Sequence, residues 1–135
     1  MRTKKVKPPI KKFDYLMYVS REYDDIIKKE FISFGIQTTK EFLTFKYQLK
    51  IDTELRDNKL TFHIIGFKAP RGELSNPGYA EFEYRLYDFN YEQYNVQIER
   101  KDAGKVKFNL KLRKSKTKPI ELSSIPRESF IAINQ

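Results

Sequence analysis

The strongest constraint on this chain is a two-residue alternation of apolar and polar side chains that runs through most of its second half and beyond. Over residues 42–55 the odd positions Leu43, Phe45, Tyr47, Leu49, Ile51 and Leu55 are apolar. Lys46, Gln48, Lys50, Asp52 and Glu54 between them are polar. Such a period places one side-chain set on each face of a strand, so the chain is driven towards half-buried β-structure. Arg56-Asp57-Asn58-Lys59 has turn chemistry, after which Leu60, Phe62 and Ile64 resume the alternation. A turn centred on Asp57-Asn58 predicts the pairs Leu55/Leu60, Thr53/Phe62 and Ile51/Ile64 on one face.

The pattern recurs. Ala80, Phe82, Tyr84 and Leu86 share one face of a strand within residues 79–89, and Tyr94, Val96 and Ile98 lead another. Asp102-Ala103-Gly104 is a turn, and Val106, Phe108, Leu110 and Leu112 return from it. The predicted inward pairs are Ile98/Phe108, Val96/Leu110 and Tyr94/Leu112, with Glu99/Lys107 and Asn95/Lys111 outward. Ile120 and Leu122, then Phe130, Ile131 and Ile133, predict closing strands, and residues 13–19 a short first one. One segment departs from this period. Residues 20–34 place Tyr23, Ile26, Ile27, Phe31 and Phe34 at steps of three to four, with Ser20 as an N-cap and Gly35 as a C-terminal glycine. That spacing predicts an amphipathic helix docked on the sheet.

Strands at this spacing predict an antiparallel sandwich or barrel. Tyr94-x-Val96-x-Ile98, preceded by Leu86 and followed by Asp102-Ala103-Gly104 and a hydrophobic strand, resembles the penultimate strand of immunoglobulin-like and fibronectin type III-like sandwiches. The resemblance covers residues 86–113 and implies an Ig-like sandwich with a tyrosine corner at Tyr94; it implies no function. The cysteine pair and the tryptophan of that fold are missing, and the helix is foreign to it. The expected architecture is therefore mainly β: an antiparallel Ig-like sandwich over residues 13–135 with one N-terminal helix, preceded by a basic arm at 1–12.

Charge is unevenly distributed. The chain of 135 residues carries +9, but residues 1–12 hold six bases and no acid, and residues 105–118 hold seven bases and no acid. Residues 13–104 hold 13 bases against 16 acids. Clustered Lys and Arg attract acidic partners. On a strand, Lys105, Lys107, Lys111 and Arg113 project from one side, and Lys114, Lys116 and Lys118 extend the run. Residues 66–78 form the longest expected loop, and its part 68–78 is the expected recognition segment, with Arg71 as its forked donor. The first functional reading is a non-catalytic binding or accessory module that engages a protein or acidic partner through loop 68–78 and segment 105–118. The alternative is a nucleic-acid-binding protein using the same basic face and the N-terminal arm, with Tyr79, Tyr87, Phe89 and Tyr91 free for stacking. Neither the RRM aromatic pattern nor a Gly-x-x-Gly loop is present.

Catalysis finds little support. Zero Cys and one His exclude thiol nucleophiles, zinc fingers and two-histidine metal motifs. His63, expected opposite Asp52, lacks a sequence-placed Ser, and Gly-x-Ser-x-Gly is absent. Gly66, Gly72 and Gly78 form no nucleotide fingerprint. No cofactor or metal is expected. No membrane span and no secretory leader are read from the sequence, so the expected compartment is the cytoplasm.

Overall fold

The computed structural model describes residues 14–42, 47–68, 78–114, 117–126 and 129–135. Nine strands form a single curled sheet, a half-barrel, and no helix occurs among the described residues. The segment read as a helix is a hairpin. Strands β1 (Tyr15–Asp24) and β2 (Lys29–Phe42) pair antiparallel from Tyr15↔Thr38 to Asp24↔Lys29. Ser20 lies inside β1, and Gly35 lies opposite Tyr18 in mid-strand. The local reason is the turn at 25–28. Asp24 Oδ1 accepts the backbone N–H groups of Ile26 (2.9 Å) and Ile27 (3.3 Å), and Lys28 takes a left-handed φ of 57°. The wider reason is that β2 lies between β1 and β5, so ten paired positions on one edge and eight on the other outweigh a helical spacing. Met17, Val19, Ile32, Phe34 and Ile36 then point inward at period two and are buried. Tyr23, Ile26 and Ile27, expected on a docked face, are exposed at the hairpin tip.

The second correction concerns residues 42–55. Phe42 closes β2, and β3 begins at Gln48 and runs to Arg56; residues 43–46 lie outside the described set. The hairpin to β4 (Lys59–Lys68) has the expected register, Leu55↔Leu60, Thr53↔Phe62 and Ile51↔Ile64. Strand β5 (Gly78–Leu86) turns Ala80, Phe82, Tyr84 and Leu86 to one face. Strands β6 (Gln93–Arg100), β7 (Gly104–Leu112), β8 (Ile120–Ser123) and β9 (Ile131–Asn134) complete the sheet.

The strand order is β8-β7-β6-β4-β3-β5-β2-β1-β9. Five pairings are antiparallel, whereas β1·β9, β3·β5 and β4·β6 are parallel. The β3·β5 joint is one rung, Gln48↔Glu81, and the sheet bends there. The bend sets Phe62 of β4 against Phe34 of β2, with ring centroids 5.5 Å apart, and against Tyr84 and Phe82 of β5 at 5.8 and 6.2 Å. Phe34 and Phe62 are fully buried, and each removes enough apolar area from water to contribute on the order of 2–3 kcal/mol, with the partly buried Phe82 and Tyr84 packed against them.

Side chains close the open side of the curl. Arg21 of β1 donates from Nη1 to the carbonyls of Arg113 (3.1 Å) and Pro119 (3.3 Å) and from Nη2 to Glu30, with its guanidinium 5.3 Å from the Phe89 ring centre. Gln135 Nε2, just beyond β9, donates to Ile120 O of β8 at 2.9 Å. Arg100, at the end of β6, donates to Asp14 (2.9 Å) and Asp102 (2.7 Å) over the rings of Tyr15 and Phe130. The seam is thus held by guanidinium contacts and one amide, not by a β-ladder.

Candidate functional site

The basic residues of β7 do share a face. Lys105, Lys107 and Lys111 alternate with buried Val106, Phe108 and Leu110 and are exposed. Their neighbours differ from expectation by two positions, since the observed pairs are Ile98↔Val106, Val96↔Phe108 and Tyr94↔Leu110. The turn takes Lys101 to Ala103, and Gly104, at φ +95°, already pairs with Arg100. An even shift keeps every side chain on its predicted face and changes only its cross-strand partner. Lys105 therefore faces Glu99, Lys107 faces Gln97, Asn109 faces Asn95, and Lys111 faces Gln93 on one side and Glu121 on the other.

Carboxylates interrupt the stripe. Glu99 receives His63 Nδ1 at 3.2 Å, the Gln97 amide, and Lys105 Nζ at 4.0 Å. His63 does sit opposite Asp52 in the ladder, but its described partner is Glu99, because the parallel β4·β6 pairing sets His63↔Glu99 side by side. At the other end Arg113 pairs with Glu121, and that hydrogen bond holds the Glu121 carboxyl below its ordinary range. Lys114 is exposed. Lys116 and Arg71 lie outside the described residues, as do the arm at 1–12 and residues 69–77 of the loop.

Of the two site tyrosines, one is separated from the stripe by the fold. Tyr87 is on the opposite half of the sheet, tilted against Phe31 at 5.3 Å and donating its hydroxyl to Asp24 Oδ2 at 2.9 Å. That bond, more than any other contact, lowers the Asp24 pKa, with the Ile27 N–H next. A carboxylate depressed in the fold contributes stability above the pH at which an unfolded Asp titrates, and loses it as pH falls through the lower folded value. Tyr87→Phe should therefore move the Asp24 pKa up, towards 3.8, as read by carboxyl NMR. An unmoved titration would show that the turn N–H groups alone set it. Tyr91 is 41% exposed and packs edge-on to Tyr94 at 5.8 Å. It is the aromatic at the Arg113 end of the stripe, since Glu92 O accepts the Leu112 N–H.

The chain has no match among protein-family models, curated proteins or solved structures. The reading of the site therefore stands on its own chemistry. No helix among the described residues is long and apolar enough to cross a membrane. Among the described residues no group of three or more His, Asp or Glu is arranged for a metal ion.

Two features escaped the sequence. The first is that Arg100, at the end of β6, binds Asp14, just before β1, across 86 positions of the chain. The second is a rung across five strands, Arg56↔Lys59↔Asn95↔Asn109↔Ser123, which carries no carboxylate. Only the link from Arg56 to Lys59 is local. The Lys59↔Asn95 link is a parallel contact for which neither strand carries a local signal.

Proposed function

We propose that this chain is a non-catalytic binding module that holds an acidic protein partner on the outer face of β4, β6 and β7. The observation that carries the reading is that Lys59, Lys107 and Lys111 are exposed on one face and form no ion pair within 4 Å among the described residues. Cations without partners keep their hydration until a partner displaces it, and they steer acidic ligands from solution. Interleaved Glu99 and Glu121 favour a discrete acidic surface over a continuous phosphate backbone, which is best tracked by an uninterrupted basic stripe.

The finer architectural reading, a sandwich allied to immunoglobulin-like domains, draws support from three details. The one-rung joint divides the strands into β3-β4-β6-β7-β8 and β5-β2-β1-β9. First and last strands run parallel. Buried Tyr94, at the start of β6, accepts the Asn90 N–H at 3.1 Å, the contact of a tyrosine corner.

The test is binding of Glu/Asp-rich peptides, and of single- and double-stranded oligonucleotides, at 50 and 200 mM salt. Replacing Lys107 and Lys111 together by Gln should weaken peptide binding about tenfold, from two charge contacts of up to about 1 kcal/mol each. Oligonucleotide binding that is stronger, steeply salt-dependent and equally sensitive to the variant would replace this reading by the nucleic-acid one. Binding of neither probe would overturn both.

A further inference from the structure

The carboxylate-free rung carries a more specific consequence. Where it crosses β4, β6 and β7, the outer face is hollowed, and the hollow is lined by Lys59, Asn95, Gln97, Lys107 and Asn109. Each comes from a different position in the chain, and the parallel β4·β6 and antiparallel β6·β7 ladders bring them together. Neighbouring rung members lie about 4.8 Å apart, and Lys107 sits one outward position, roughly 6.8 Å, along β7 from Asn109. Lys59 lies beside Asn95 across the sheet and Lys107 lies beside Asn109 along β7, each with an ammonium on a flexible four-carbon stem. Gln97 is 5% exposed and gives its amide to one oxygen of Glu99, whose other oxygen meets His63 Nδ1 at 3.2 Å.

We propose that this hollow is an oxyanion subsite for a phosphate monoester. The match is one of charge and donor number. A phosphate monoester near neutral pH carries about −1.5 to −2 and three strong acceptor oxygens. The hollow offers two ammonium groups that form no ion pair among the described residues, together with two carboxamides able to donate. A single carboxylate would leave one lysine uncompensated. A cation would meet two like charges. The inference rests on the reading of this face as an acid-binding surface and sharpens it: the partner's acidity includes a phosphoryl group, seated at the Lys59–Asn95–Asn109–Lys107 hollow.

The experiment is a backbone amide NMR titration of the full chain with inorganic phosphate at fixed ionic strength, with chloride as control. Phosphoserine peptides and their Ser and Glu counterparts form the second arm. Saturable shifts centred on residues 59, 95, 107 and 109 are expected. Lys59→Gln and Asn95→Ala should each weaken phosphate binding about five- to tenfold, with spectra that otherwise report an unchanged fold. Lys29→Gln, at the far hairpin tip, should leave phosphate affinity unchanged, and Lys111→Gln, which does not line the hollow, should weaken acidic-peptide binding more than phosphate binding. Tighter binding of the phosphoserine peptide than of free phosphate would assign the phosphoryl group to a protein, and equal binding to a small phosphorylated compound. Unsaturable shifts spread over all exposed lysines, or unchanged affinity in Lys59→Gln and Asn95→Ala, would overturn the subsite. If acidic peptides still bound through Lys111, the wider face would stand without it; if they did not, both would fall.

Discussion

Phe62→Ala should destabilise the protein by about 3–5 kcal/mol, the largest single-residue effect expected in this fold. Phe62 is fully buried, and its ring meets Phe34, Phe82 and Tyr84, which come from strands on the other side of the bend. Truncation loses the transfer free energy of the ring and leaves a void between strands that the one-rung β3·β5 joint cannot draw together. Domains of this size hold roughly 5–15 kcal/mol in total, so the variant should be marginal at room temperature. Urea titration by circular dichroism gives the number, provided the m-value is unchanged. A loss under about 1.5 kcal/mol would mean that the two halves repack freely across the bend.

Arg21→Ala should cost about 2–4 kcal/mol. The side chain is only 18% exposed and satisfies the carbonyls of Arg113 and Pro119 besides pairing with Glu30. Removing it takes a charged donor from the Arg113 carbonyl and Glu30, leaves Pro119 O with the Arg113 N–H alone and uncovers Phe89. Hydrogen bonds to a charged group contribute about 1.5–3 kcal/mol. The guanidinium is not fully satisfied itself, because its Nε is buried without a hydrogen-bond partner among the described residues. Arg21→Met keeps the packing on Phe89 and should recover part of the loss. The same urea series separates the two. If Ala and Met lose equally, hydrogen bonding dominates; if Ala loses less than about 0.5 kcal/mol, the seam is not held by Arg21.

Legibility followed the distance over which each decision is made. The β3–β4 hairpin is readable to the individual pair, because Asp57-Asn58 and the flanking alternation are local and sit within the fourteen residues 51–64. The β6–β7 hairpin was readable in face but not in partner, since Gly104 took a ladder position in place of a turn position. Residues 20–34 read as a helix because Tyr23, Ile26, Ile27, Phe31 and Phe34 fit a helical stripe, while the β5 ladder that also claims β2, from Phe42↔Gly78 to Ile32↔Leu86, lies 36 to 54 positions further along the chain. Phe31 shows the difficulty best. It points to the outer face of β2, yet it is buried, covered by the Arg85 guanidinium at 4.5 Å and by Tyr87. The lysines of the site were visible as a charge run. Their grouping with Lys59 and Asn95 was not, because a parallel contact between strands separated by β5 leaves no periodic trace.

The pairing of β9 with β1 also governs how the molecule reaches its structure. Tyr15 meets Ile131, 116 positions away along the chain, and Lys59 meets Asn95 across 36. Contacts of such separation must close large loops before they return any free energy, so folding belongs to the slow, millisecond-to-second regime of sheet proteins. The local β3–β4 and β6–β7 hairpins can form early; the β1–β9 contact comes late. Until it does, the outer edge of β1 presents unpaired backbone groups, and the interval before closure is when a neighbouring chain competes most effectively for that edge.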